Sequence, residues 1–276
     1  MKKLLLSVLI GVCFLNTNAQ LKTPAPSPTQ SIKQDFGISS IELIYSRPGI
    51  KGRKIFGDLV PWNKVWRTGA NSATRIKFND DVTFGGQSLK AGEYAIYTVP
   101  NENEWEVIIN KGSANWGTEY KMEDDIFRVK VKPMKLDQVI ESFTMQFGNV
   151  KATSTDLQIM WDKTAVAIPI TTDIDKKIMA QINSQVIKDS RPYFQSAMYY
   201  LENGKDLNQA LQWFDKAIEQ NPNGYWIYHQ KANALAKLGK KPEAKVVAQK
   251  SLDIARQEKN DDYVRLNEKL LADLNK

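Results

Sequence analysis

Between Arg47 and Lys77 the chain gathers eight basic residues, Arg47, Lys51, Arg53, Lys54, Lys64, Arg67, Arg75 and Lys77, against one acid, Asp58. The same stretch holds Pro48, Gly49, Gly52, Gly57, Pro61, Trp62, Trp66 and Gly69. Arginine presents a planar fork suited to carboxylate or phosphate. Glycine lets backbone N–H groups approach a ligand, and tryptophan faces stack on sugar rings or cations. Asn71, Ser72 and Thr74 add neutral hydrogen-bonding groups. These residues predict a cationic polar-ligand pocket built from Arg47, Arg53, Trp66, Arg67 and Asn71, for a small anionic or saccharide ligand. A framework role is the alternative. Gly and Pro then turn a long connection, and the tryptophans plug the end of a β-sandwich. The arginines then satisfy loop carbonyls or pair with Asp58 or Glu93.

Reactive chemistry has few candidates. With one cysteine, Cys13, and one histidine, His229, a Cys/His zinc site and a disulfide framework are excluded. A Ser-His-Asp or Cys-His system would have to be built on His229 alone. His229 lies beside Tyr225, Trp226 and Tyr228 in a helical stretch and reads as a groove or packing residue. A carboxylate-pair hydrolase acting on a cell-envelope saccharide would use Asp58 and Glu93, the acids in or beside the basic stretch. A Ser46 dyad with Lys51 or Lys54 has no recognised spacing. Asn79-Asp80-Asp81 and Glu123-Asp124-Asp125 lack a calcium-loop pattern and read as turns. No metal and no cofactor is expected.

The elements that must position these groups follow from periodicity. From about Ile38 to Ile170 the apolar residues recur every second position. Examples are Ile41/Leu43/Tyr45, Ile76/Phe78, Val82/Phe84, Tyr94/Ile96/Thr98 and Trp105/Val107/Ile109, then Phe127/Val129/Val131, Phe143/Met145/Phe147, Leu157/Ile159/Trp161 and Val166/Ile168/Ile170. Gly85-Gly86 reads as a hairpin turn. Short strands at this spacing predict an all-β sandwich, jelly-roll-like, or a barrel. Trp105 and Trp161 fall on the core positions; Trp116 reads as part of an exposed rim.

After Thr172 the period becomes helical, with Ile174, Ile178, Ile182 and Val186 on one face and a break at Ser190-Arg191-Pro192. Ala210, Phe214, Ala217 and Pro222 have the spacing of the second half of a tetratricopeptide unit, with Ala197 and Tyr200 in its first helix. Ala244 follows Ala210 by 34 residues, and Ala232, Leu235 and Gly239 fall at the matching small and turn positions. Ala248 stands where an aromatic is usual and Ser251 where an alanine is usual. The chain over about 192–258 thus resembles tetratricopeptide repeats, with a capping helix over about Asp262–Asn275. The resemblance implies a protein or peptide partner.

At the start, Lys2 and Lys3 precede the apolar run Leu4–Leu15, and Thr17-Asn18-Ala19 offers a small-residue cleavage site. This is the three-part pattern of a secretory signal. The run is shorter than the roughly 20 residues that span a bilayer. Cys13 sits inside the run after Val12, unlike a lipidation site. Loss of Lys2 and Lys3 lowers the formal charge from +7 to +5. Basic and acidic residues are nearly balanced in both halves, so no nucleic-acid partner is expected.

The strings Tyr45-Ser46-Arg47-Pro48, Lys51-Gly52-Arg53, Ile55-Phe56-Gly57, Val60-Pro61 and Trp66-Arg67-Thr68-Gly69-Ala70-Asn71 resemble the DUF2911 family, as do Ala91-Gly92-Glu93-Tyr94, Trp105 and Trp161. The resemblance covers about 26–170. It implies an exported all-β domain of unknown function, sometimes followed by helical repeats, and supplies no catalytic residue. The expected organisation is a signal peptide over 1–19, a Pro/Ser-rich leader over 20–33, a β-sandwich over 34–170 and helical repeats over 171–276. The expected location is the periplasm or the medium. The expected role is binding and interaction: a cationic pocket in the sandwich and a protein- or peptide-binding repeat. The rivals are the envelope-saccharide hydrolase and a sandwich that is scaffold alone.

Overall fold

The computed structural model describes residues 23–112, 119–185 and 192–276. The signal-peptide features, Gln20, Trp116, Val186 and Ser190-Arg191 lie outside the described residues. The chain divides into two compact units between Asp173 and Ile174.

The first unit is a sandwich of two antiparallel sheets. One sheet has the order β1-β2-β3-β6-β7-β8. Its strands are β1 Thr29–Phe36, β2 Ser39–Ser46, β3 Thr74–Phe78, β6 Gly92–Val99, β7 Trp105–Asn110 and β8 Asp125–Val131. The other has the order β5-β4-β10-β9, with β4 Val82–Phe84, β5 Gln87–Leu89, β9 Met134–Gly148 and β10 Ser154–Thr171. β1 begins at Thr29, inside the stretch read as a leader. Its residues pair along the whole of β2, and the Arg47 N–H is anchored by the Pro28 carbonyl. The Leu157–Trp161 and Val166–Ile170 patterns are one strand rather than two. Asp162 at φ +52° marks the bulge that lets β10 turn without ending.

Alternation puts Ile41, Leu43, Ile76, Phe78, Ile96, Val107 and Ile109 on the inner face. They meet Phe84, Phe143, Met145, Leu157, Ile159, Trp161, Ile168 and Ile170 from the second sheet. The hairpin at Gly85-Gly86 has φ +55° and +87°, and a Cβ on Gly85 would meet Val129 at 2.9 Å. Glycine is required there by both backbone and space.

Tyr45 joins the sheets. Its hydroxyl accepts from the Met145 N–H at 3.0 Å and lies 2.9 Å from the Met145 carbonyl and 2.7 Å from Gln30 Oε1, one of which takes its single proton.

The second unit is helical: α1 Asp175–Gln185, α2 Tyr193–Glu202, α3 Leu207–Gln220, α4 Tyr225–Lys237, α5 Lys241–Gln257 and α6 Asp261–Leu274. Asp206 caps α3 through the Asn208 and Gln209 N–H groups, and Asn260 caps α6 through the Tyr263 N–H. Ala197, Ala210, Ala232, Ala244 and Ala248 are all fully buried where helices cross. α4 contacts both α2 and α6, so α2, α4 and α6 share one side of the stack.

His229 is a packing residue. Asn267 Nδ2 donates to Ser251 Oγ at 2.9 Å and to the Tyr263 carbonyl at 2.7 Å. Its Oδ1 is therefore the acceptor, and His229 Nδ1, 2.8 Å away, carries the proton. Ser251 donates in turn to the Tyr225 carbonyl at 2.7 Å.

Replacing Tyr45 with Phe strands a buried Met145 N–H. The expected loss is about 1–3 kcal/mol of unfolding free energy, read from chemical denaturation followed by the near-ultraviolet signal of the sandwich.

Candidate functional site

The side chains of the basic connection between β2 and β3 fasten it to the sandwich and to its own turns. Trp66 exchanges backbone hydrogen bonds with Thr98 at 2.7 and 2.9 Å. Its indole stacks on Trp161 at 5.9 Å and meets Phe143 edge-on at 5.2 Å. The Trp66 Nε1 donates to the Gly69 carbonyl at 3.1 Å. Phe56 inserts beside it, edge-on to Trp105 at 5.1 Å and stacked on Trp62 at 5.7 Å. Trp66 thus closes the sandwich end.

Arg47 donates from Nε to the Phe143 carbonyl at 3.1 Å and from Nη2 to Thr144 Oγ1 at 2.9 Å. Arg53 donates to the Ile50 and Gly49 carbonyls of its own turn at 3.0 and 2.6 Å. Asn71, at φ +59°, donates to the Ser27 carbonyl and to Ser46 Oγ, both at 3.2 Å. Ser46 is engaged there, and Lys51 and Lys54 are exposed. Asp58 is exposed in the turn that buries Ile55 and Val60. Glu93, at the start of β6, pairs with Arg75 at 3.6 Å. Among the described residues no hydrogen bond or ion pair joins Asp58 to Glu93. Glu93 is five residues from Thr98, where Trp66 docks, which is about 16 Å along a strand. Asp81 accepts from the Ala91 N–H at 2.9 Å and from Lys90 at 2.8 Å, closing its turn.

Arg67 differs from the other motif arginines. Among the described residues its half-buried guanidinium has no hydrogen-bond or ion-pair partner. Successive side chains of extended backbone leave on opposite faces. Trp66 bridges Thr98 with its ring in the core, so Arg67 takes the register position beside Tyr97, which alternation assigns to the outer face of the six-stranded sheet.

That outer face carries a polar cluster absent from the sequence reading. Strand register puts Arg75, Ala95, Asn110 and Asp125 in one row, and Tyr97, Ile108 and Arg128 in the next. Arg128 donates to Asp125 Oδ2 from Nε and Nη2 at 3.1 and 2.9 Å, and to Glu106 from Nη1 at 3.0 Å. Tyr120 donates to the same Asp125 oxygen at 2.7 Å and accepts from Arg128 at 2.8 Å. Asn110, fully buried, donates to Asp125 Oδ1 at 2.8 Å and to the Lys121 carbonyl at 2.9 Å. Burial, and then the bond to the Asp125 carboxylate, push the Tyr120 phenol up to about 12. One signal for this cluster was available. Tyr97 sits out of phase with Tyr94, Ile96 and Thr98, a large aromatic on a face expected to be polar.

The family model described as "Protein of unknown function (DUF2911)" matches residues 27–170. The chain belongs to this family. The DUF2911 match thus covers the sandwich, the motif connection and the outer-face cluster. Two tetratricopeptide-repeat models match residues 190–223 and 213–246, over α2 to α5. Neither the curated proteins nor the solved structures gave a match.

The Tyr120 phenol is raised in the fold, so its contribution to stability is complete below the ordinary phenol value of about 10. It is lost as pH rises through about 12. Denaturant midpoints measured at pH values across that window should fall with pH, and fall less in Tyr120→Phe.

Proposed function

We propose that this DUF2911 protein is an exported two-module binding protein, whose sandwich takes a small anionic ligand through Arg67 and whose repeats take a peptide or protein. The observation that carries the ligand half is the contrast among the motif arginines. Arg47 and Arg53 spend their donors on carbonyls and a hydroxyl of the framework. Arg67 has no such partner among the described residues, while the backbone around it is fixed. The Thr68 carbonyl accepts from Thr74 Oγ1, and Thr68 Oγ1 lies 3.1 Å from Thr98 Oγ1. A cation preorganised on a rigid segment loses little on binding an anion.

For the partner half, the tetratricopeptide matches point to protein–protein interaction. α2, α4 and α6 offer a continuous side for it. Export rests on the Lys2/Lys3, Leu4–Leu15 and Thr17–Ala19 pattern. No helix among the described residues is long and apolar enough to cross a membrane.

A pair of substitutions separates ligand chemistry from framework. Arg47→Lys loses the fork to Phe143 and Thr144 and should cost about 1–3 kcal/mol in unfolding free energy. Arg67→Lys should cost under about 0.5 kcal/mol yet weaken anion binding. A drop for Arg67→Lys as large as that for Arg47→Lys makes Arg67 framework. N-terminal sequencing of the exported product should begin at Gln20; a retained Met1 or a lipid on Cys13 overturns the export reading.

A further inference from the structure

We propose that the outer face around Tyr97 binds a small hydroxylated carboxylate, with the carboxylate on Arg67 and one ligand hydroxyl on the Tyr97 hydroxyl. This rests on the anion-binding reading of Arg67 and adds the ligand's class and its second anchor. Among the described residues, Tyr97 Oη and Trp105 Nε1 are the buried side-chain polar atoms without a hydrogen-bond partner. The two are not equivalent. Trp105 faces the inner core, against Phe56, where no polar ligand approaches. Tyr97 is 1% exposed yet belongs to the outer-face cluster with Ala73, Ala95 and Ile108. Buried polar groups are satisfied in nearly all folded proteins, because an unpaired one forfeits its hydration without return. The small neighbours Ala73 and Ala95 offer it no polar side chain.

The surroundings set the ligand's charge and kind. Arg75 pairs with Glu93, and Arg128 with Asp125 and Glu106. Arg67 supplies one guanidinium without a partner among the described residues, which suits a single negative charge. A doubly charged phosphate would be repelled by the acids. Burial, and then Glu119 and Asp125, hold the Tyr97 phenol up, so it stays a neutral donor and acceptor for a hydroxyl. The Tyr120 ring lies edge-on to Tyr97 at 4.9 Å. A ligand hydroxyl reaches the Tyr97 hydroxyl only if that ring swings aside, which gives up the Tyr120 bonds to Asp125 and Arg128 and holds the affinity down.

The test is calorimetric titration and thermal unfolding of the full chain with D-glucuronate and D-gluconate, against D-glucose and acetate. The two sugar acids should bind, and glucose and acetate should bind at least about tenfold more weakly, the loss of one charged or hydroxyl anchor. Tyr97→Phe should leave the unliganded midpoint unchanged or raised, because it removes an unpaired hydroxyl. The same variant should weaken the sugar acids by about three- to tenfold. Wild-type affinity in Tyr97→Phe, or a lowered unliganded midpoint, overturns the assignment. If acetate binds as well as glucuronate and Arg67→Lys weakens both, the Arg67 reading stands and the Tyr97 anchor falls. If neither sugar acid nor acetate binds the wild type, both fall.

Discussion

The seating of Trp66 between Trp161 and Phe143 is the contact on which the rest of the sandwich end depends. Aromatic pairs of this kind contribute about 0.5–1.5 kcal/mol each beyond the area they bury. Trp66 makes two of them at under 6 Å and a backbone bridge to Thr98 besides. With that indole fixed, the chain on either side has no freedom of register. Arg47 and Asn71 fasten the two ends of the connection to β9 and β2, and Arg53 closes the turn between. Thr68, Gly69 and Asn71 all take positive φ, so the chain leaves the Thr98 bridge and re-enters as β3 within a few residues. The framework tasks are shared among Arg47, Arg53, Thr68, Asn71 and Thr74, and Arg67 is left over.

The two faces of the six-stranded sheet follow different chemistry. The inner face is satisfied by aromatic and aliphatic packing. The outer face near β7 and β8 is satisfied by a closed set of charge-assisted bonds, in which Asp125 accepts from Asn110, Tyr120 and Arg128 at once. Such a set stabilises when every member is paired and costs heavily when one is not. It pins the residues just before β8 to the sheet and places Tyr120 over Tyr97. The Tyr97 hydroxyl is the member of that face outside the set.

The helical unit uses small residues where helices cross and one buried polar chain where the second repeat departs from the usual pattern. Ser251 replaces an alanine without leaving its hydroxyl unpaired, because the Tyr225 carbonyl accepts from it and Asn267 donates to it. Asn267 then fixes the His229 tautomer. That chain ties α4, α5 and α6 together beside Ala248, where an aromatic is usual, and it holds His229 by its Nδ1 in the packed interior.

Periodicity determined the class of each half. A two-residue apolar repeat can bury one face only as a strand, and the change to a helical repeat after Thr172 marked the second unit. The motif strings and the 34-residue spacing of Ala210 and Ala244 likewise carried the family and the repeats, because turn and crossing positions tolerate few residue types. Local sequence did not show that Thr29–Lys33 would pair with β2, since Pro and Ser nearby mask a short alternating run. It did not separate Arg67 from Arg47 and Arg53 either. All three are arginines in one glycine-rich connection, and what distinguishes them is the acceptors the fold brings close: another strand for Arg47, its own turn for Arg53 and none among the described residues for Arg67. Phe143 and Thr144 lie 96 and 97 residues from Arg47. Asp125 meets Asn110 and Arg128 only because β7 and β8 pair in one register. Residue types and spacing therefore set the elements and the family, while the partners of each charged group were decided by which strands the sandwich laid side by side.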